Sequence, residues 1–240
     1  MKKENRISSI LLIIAMAVIS ILITGCWPTG QLISETMGID LNEALEVNAT
    51  IVIYKGNLEI KGISQSALLT SNFSYNLERW FPRISYMVEN GIGNLKITQD
   101  NEKSNTTQLV NNWLLLFNSM VPLSLDIIMG SAESHLNLNS INLTDLKAAI
   151  GTGDTVIDLT GDYQNYINIY LLGGIGHTTL NLSRGVKTGI LIEGTLNRIK
   201  CDKDFHRINH YYFNSASVFE EKKINITIFS GIGIIEINLI

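Results

Sequence analysis

The sequence predicts an all-β chain: a single-domain β-solenoid of stacked short strands, with about 20 residues per coil, preceded by a less regular β segment. Three observations carry this. First, a glycine-led unit recurs: "GSAESHLNL" from Gly130, "GTGDTVIDL" from Gly151, "GIGHTTLNL" from Gly174 and "GIGIIEINL" from Gly231. Second, six and eight residues after each leading glycine stand apolar residues with a polar one between them, as in Leu180, Asn181 and Leu182; such alternation marks a half-buried strand. Third, another alternating run precedes each glycine: Leu125, Ile127 and Met129; Leu146, Ala148 and Ile150; Ile167, Ile169 and Leu171; Ile224, Ile226 and Ile228.

The leading glycines stand 21 and then 23 residues apart. A degraded copy, "EGTLNRIKC", starts at Glu193, and the last full copy follows 38 residues later, room for two more units. A fixed period near twenty is the signature of one strand–corner–strand unit stacking on the next, because one unit alone cannot bury enough apolar surface to offset the entropy of ordering it. Glycine suits the corner. Stacked strands lie about 4.7 Å apart, corners stack with them, and a sharp corner often needs a positive φ that a side chain disfavours. The expected structural corners are Gly130, Gly151, Gly153, Gly174, Gly176, Gly231 and Gly233. Hairpin turns in a β-sandwich are the competing reading, but they do not explain the constant phase.

From the N-terminus, residues 1–25 read as a secretory signal: Lys2, Lys3 and Arg6 precede an apolar run from Ile10 to Ile23. The run is long enough for an uncleaved membrane anchor to be the alternative. Residues 26–46 read as a polar tether. Residues 47–105 form the less regular β part, with strands around Gly56 and a corner at Gly91 and Gly93, and residues 106–240 carry the repeats. The chain ends at Ile240 directly after a strand, so an uncapped last strand is expected either to lie inside the sheet by non-sequential pairing or to join an envelope protein or a second copy.

Composition narrows the functions. The net charge is −4, and the first 25 residues are basic on balance, so the remainder is more acidic still. With no Lys/Arg cluster, nucleic acid is not an expected partner. Catalytic residues, metal ligands and cofactors are likewise not expected. His206 and His210 stand four apart near Cys201 and Asp204, but without a helical stripe or a second ligand pair they read as surface residues, as do His135 and His177. "LGGIGHTT" lacks the Lys-Ser/Thr ending and the following helix of a phosphate loop. Asp154, Asp158, Asp162 and Arg184 are the residues an acid/base polysaccharide enzyme on this scaffold would use. The outward column seven residues after each glycine, read as Asn137, Asp158, Asn181, Lys200 and Asn238, holds one carboxylate, so a solvated face is the simpler reading. Tyr75, Trp80, Phe81, Tyr86 and Trp113 read as core or cap.

Two resemblances add to this. "LITGC", Leu22 to Cys26, resembles a bacterial lipobox, which implies cleavage before Cys26 and attachment of lipid, palmitate-class chains included, to that cysteine. Cys26 would then tie the protein to a bacterial membrane outside the cytoplasm, because two or more acyl chains hold stably where one does not. Cys201 would be left without an intramolecular partner. The run of "GNLEIKG", "PRISYMVENGIGNLKITQ", "VPLSLDIIMGSAESHLNLNSINLTDLKAAIGTGDTVIDLTGDY", "LLGGIGHTTLNLSRGVKTGILIEG" and "INITIFSGIGIIEINL" resembles the toast-rack domain family of bacterial envelope proteins, related to the C-terminal domain of LiaF-type cell-wall-stress proteins. That resemblance implies stacked strands and no established catalytic activity. The expected function is a non-enzymatic, lipid-anchored cell-envelope protein presenting a β-solenoid surface for binding, adhesion or envelope-stress sensing. A polysaccharide-acting enzyme and a LiaF-like regulator of a membrane sensor are the alternatives.

Overall fold

The computed structural model describes residues 30–100, 109–194, 196–215 and 219–240. The signal segment and Cys26 lie outside the described residues.

The chain builds a stack of bent coils. In its first half run β1 (Ile33–Ile39), β2 (Glu46–Ile63), β3 (Leu69–Tyr75), a single 3-10 turn (Glu78–Trp80), β4 (Arg83–Glu89), β5 (Ile92–Thr98), β6 (Asn111–Asn118) and β7 (Leu123–Asn137). Then follow β8 (Leu143–Thr152), β9 (Thr155–Leu159), β10 (Ile167–Leu172), β11 (Ile175–Leu182), β12 (Thr188–Glu193), β13 (Asn197–Cys201), β14 (His206–Ile208), β15 (Tyr211–Phe213), β16 (Ile224–Phe229) and β17 (Ile232–Leu239). Each coil has a first arm, a corner and a second arm. β2 and β7 each span both arms, whereas later coils divide into pairs: β8 with β9, β10 with β11, β12 with β13, and β16 with β17.

Neighbouring coils pair in parallel and in register. In the first arm, Leu95, Ala49, Leu125, Leu146, Ile169, Ile226 and Ile190 form one column across seven strands. In the second arm, Leu115, Ile60, Leu136, Ile157, Leu180 and Ile237 form another. Every member of both columns is buried, and the two arms share one continuous core. The period-two pattern of each segment thus becomes, by stacking, a wall of hydrocarbon along the whole stack.

The glycines split into two columns with different physical reasons. A Cβ on Gly174 would sit 1.6 Å from the carbonyl oxygen of Gly151, and one on Gly231 would sit 1.9 Å from that of Gly174; here glycine is required by the approach of one coil's backbone to the next. Two residues on, Gly153, Gly176 and Gly233 have φ of +132°, +147° and +144°, which L side chains rarely adopt. Ala132 takes this place in β7, aligned with Gly56, without a positive φ.

The structure differs from expectation in three places: the tether, the interval from 193 to 231 and the phase of the degraded copy. Residues 33–39, expected within a tether, form β1, which pairs antiparallel with β3 over its whole length. Its alternating Ile33, Met37 and Ile39 pack against the core, a short pattern masked by the exposed residues between them. In keeping with a single domain, β2 pairs with both β6 and β7 and joins the less regular β part and the repeats in one sheet. The interval from 193 to 231 holds one coil, not two units: after β13 the chain makes the short β14–β15 hairpin, which pairs antiparallel with β12.

The degraded copy is displaced by two residues, since Asn197 aligns with Gly233. Lys200 therefore faces Glu236, at 3.4 Å, and leaves the Asn137–Asp158–Asn181–Asn238 column. β17 takes the first of the two places expected for it, inside the sheet by non-sequential pairing. It pairs with β11 on one side and β13 on the other, so the last coil is inserted between the two that precede it and cannot offer the C-terminal strand to a partner.

Candidate functional site

The outer surface of the second arm carries a concentration of polar side chains on adjacent strands. Four adjacent strands, β3, β6, β2 and β7, align two transverse rows. Ser74, Asn112, Asn57 and Glu133 form the first. Asn72, Leu114, Glu59 and His135 form the second. These rows line an open groove of about 380 Å³. It adjoins a second hollow of about 410 Å³ at the corner, which shares Asn57, Asn112 and Glu133 and adds Lys55, Ser131 and Thr152.

Local sequence explains the arrangement. In "GNLEIKG", "SNFSY" and "NNWLLLF" the inward positions are Leu58, Ile60, Phe73, Trp113 and Leu115, all buried, and strand alternation sends the intervening residues outward. Asn57 Nδ2 donates to Asn112 Oδ1 at 2.8 Å, which fixes both amides, and Lys61 holds Glu59 at 2.5 Å. Beneath them Trp113 packs edge-on against Phe73, with ring centroids 5.5 Å apart, and donates from Nε1 to Asn111 Oδ1 at 2.9 Å. Trp80 closes the wall of the corner hollow. It is 2 % exposed, and its indole Nε1 meets no acceptor among the described residues.

The residues considered for catalysis are dispersed and committed elsewhere. Asp154 accepts from the backbone N–H of His177, and Asp158 from the N–H and hydroxyl of Thr160. Arg184 is held by Asp202, Asp204 and the carbonyl of Leu239; the turn N–H of Asp204 first, and then the Arg184 charge, hold the Asp202 carboxyl below the usual range. His206 lies against Phe213 on the β14–β15 hairpin. Among the described residues no three His, Cys, Asp or Glu side chains converge as a metal site would need. Burial, and then the charge of Asp202, pushes the Cys201 thiol up to about 11, so it is protonated and a poor nucleophile at neutral pH. Of the aromatics, Tyr75, Trp80 and Trp113 are core.

The sequence reading did not single out Asn57, Asn72, Asn112 or Glu133. The signal was present as outward positions of four strands, but only pairing shows that strands far apart in sequence lie side by side.

This geometry defines a class: a stacked β protein with a polar outer face and dispersed titratable groups. Residues 29–181, well over half of the chain, match the family described as the N-terminal domain of toast_rack, DUF2154, and the chain belongs to that family. Its fold is similar to the crystal structure of a protein from Clostridium sporogenes ATCC 15579 described as a candidate cell adhesion protein. The identity is 25 %, over 86 % of this chain and 99 % of that one, with a TM-score of 0.78. A candidate adhesin from Bacteroides fragilis NCTC 9343 matches over 89 % of this chain and all of that one, at 13 % identity and a TM-score of 0.35. No curated protein matches the chain.

Proposed function

We propose that this is a non-enzymatic adhesion protein of the bacterial cell surface, anchored by lipid on Cys26, which binds a polar ligand across the groove of Asn57, Asn72, Ser74, Asn112, Glu133 and His135. The observation that carries the reading is the likeness, over nearly the full length of both chains, to a protein described as a candidate cell adhesion protein. The groove supports it chemically. Amides, hydroxyls and carboxylates set on neighbouring strands match the mixed donors and acceptors of a hydroxyl-rich ligand, and β-strands hold them in place without an induced change.

The test is retention of the protein on immobilised glycans and surface glycoproteins. The Asn57→Ala/Asn112→Ala double variant should lose at least tenfold in affinity while keeping its far-UV spectrum. Turnover of a polysaccharide, or equal retention of variant and wild type, would overturn the reading. Metabolic labelling with an alkyne fatty acid tests the anchor: wild type should label and Cys26→Ala should not.

A further inference from the structure

The outer face of the first arm is polar away from the corner and apolar beside it. Far from the corner, one transverse row reads Asn48, Ser124, Asp145, Asn168 and Asn225. Next to the corner, the row across four strands reads Ile128, Ala149, Leu172 and Phe229. Ile128 is 42 % exposed, Leu172 58 % and Phe229 47 %. At the corner itself Ile175 and Ile232, paired across β11 and β17, are exposed as well, and Tyr170 flanks the stripe. A contiguous exposed apolar stripe on an otherwise polar sheet marks a contact surface.

Where the chain enters the fold indicates what covers that stripe. Gly30 packs on the backbone of Asn76, so closely that a Cβ there would lie 1.9 Å from the Asn76 carbonyl oxygen. Asn76 bonds to Val110, and the neighbouring Asn111 donates to the Lys55 carbonyl beside corner residue Gly56. The first described residue therefore sits at one end of the corner ridge along which the stripe runs. Four residue steps separate Cys26 from Gly30, a reach of roughly 14 Å at full extension. The β1-to-β7 distance, four strands, is about 19 Å.

On the anchoring reading above, we infer that the corner ridge is a bilayer-contacting surface: the acylated Cys26 enters the membrane at one end of the ridge, and Ile128, Leu172 and Phe229 rest on the lipid interface beyond it. The protein then lies along the membrane, not upright on a tether. Apolar side chains leaving water add to the acyl anchor, and a tyrosine at the flank suits the headgroup level. The groove of the second arm lies on the other side of the corner.

The test uses the full chain, processed in bacterial cells and reconstituted into vesicles of phosphatidylethanolamine and phosphatidylglycerol. In a Cys201→Ser background, single cysteines are placed at Leu172, Phe229, Asn168 and Asn181, labelled with an environment-sensitive fluorophore, and quenched with spin-labelled lipid. Quenching at 172 and 229 should exceed that at 168 and 181 by at least threefold, with a blue-shifted emission. Equal quenching at all four positions, or a blue shift at 172 and 229 without lipid quenching, as a second copy or another protein would produce, overturns the inference. Absence of acyl label on the wild-type chain overturns the anchor and the ridge together, whereas labelled protein with unquenched 172 and 229 overturns the ridge alone.

Discussion

Gly176→Ala tests whether coil stacking holds the fold together. At Gly176 φ is +147°, a region in which a side chain costs about 1–3 kcal/mol. The added Cβ would also sit 2.1 Å from the carbonyl oxygen of Gly153 in the next coil, well inside an ordinary contact of 3.4–4 Å. The coils must separate by more than 1 Å locally. That strains the bonds on either side: Gly153 N–H to Ile175 at 3.0 Å and Ile232 N–H to Gly174 at 2.8 Å. At about 0.5–1.5 kcal/mol each, the two bring the total to about 2–6 kcal/mol, a large fraction of the 5–15 kcal/mol by which domains are stable. Urea unfolding followed by the fluorescence of the buried Trp80 and Trp113 measures it. Gly38→Ala is the control, because a Cβ there meets nothing within 4 Å, and it should shift stability by less than about 0.5 kcal/mol. If the two variants unfold within about 0.5 kcal/mol of each other, the corner glycines are not what sets the coil spacing.

Three further outcomes are expected. Ile157→Ala, in the middle of the second-arm column and 0 % exposed, should cost about 2–5 kcal/mol in the same urea assay. Cys201 in the folded protein should react with a thiol reagent at pH 8 far more slowly than in urea, because its folded pKa is about 11. Stability itself should fall at alkaline pH. The Cys201 thiol is raised from 9.0 to about 11, and burial, followed by the bond to Glu35, raises Tyr75 from 10.0 to about 12; Tyr163 is raised further by burial. All three are neutral when protonated, so the folded state keeps protons that the unfolded chain releases. The contribution is complete below about pH 9 and is lost as pH climbs toward 12, which pH-dependent urea midpoints will read.

The coil pattern was legible because it is written in local periodicity. The residues at plus six and plus eight after Gly130, Gly151, Gly174 and Gly231 are the buried second-arm positions, and those before each glycine are the buried first-arm positions. What local pattern does not carry is pairing order. Nothing in "INITIFSGIGIIEINL" says that it inserts between two earlier coils, because its alternation would serve at the end of a stack equally well. β1 was missed for a related reason: a sheet-end strand buries only one of its faces and only in part, so Ser34, Glu35 and Thr36 read as loop composition. The groove escaped notice because its members come from four strands, each of which contributes only outward positions that a solvated face would also provide.

The inserted coil changes how the molecule should come apart. In a solenoid whose coils stack in chain order, the last coil has one neighbour and frays first. Here the C-terminal β16–β17 coil has neighbours on both sides, and the terminal position falls to β12–β13, which precedes it in sequence. The final residues of the chain must therefore be in place before β12 and β13 can dock, and stability is shared across the stack. Native-state amide exchange distinguishes this from sequential fraying. The amides of Leu180 in β11 and Ile237 in β17 should be protected alike, and those of Ile199 and Cys201, which point away from β17 to the free edge of β13, should exchange sooner. If β17 instead exchanges with β13, ahead of β11, the last coil behaves as a peripheral unit and its insertion adds nothing to cooperativity.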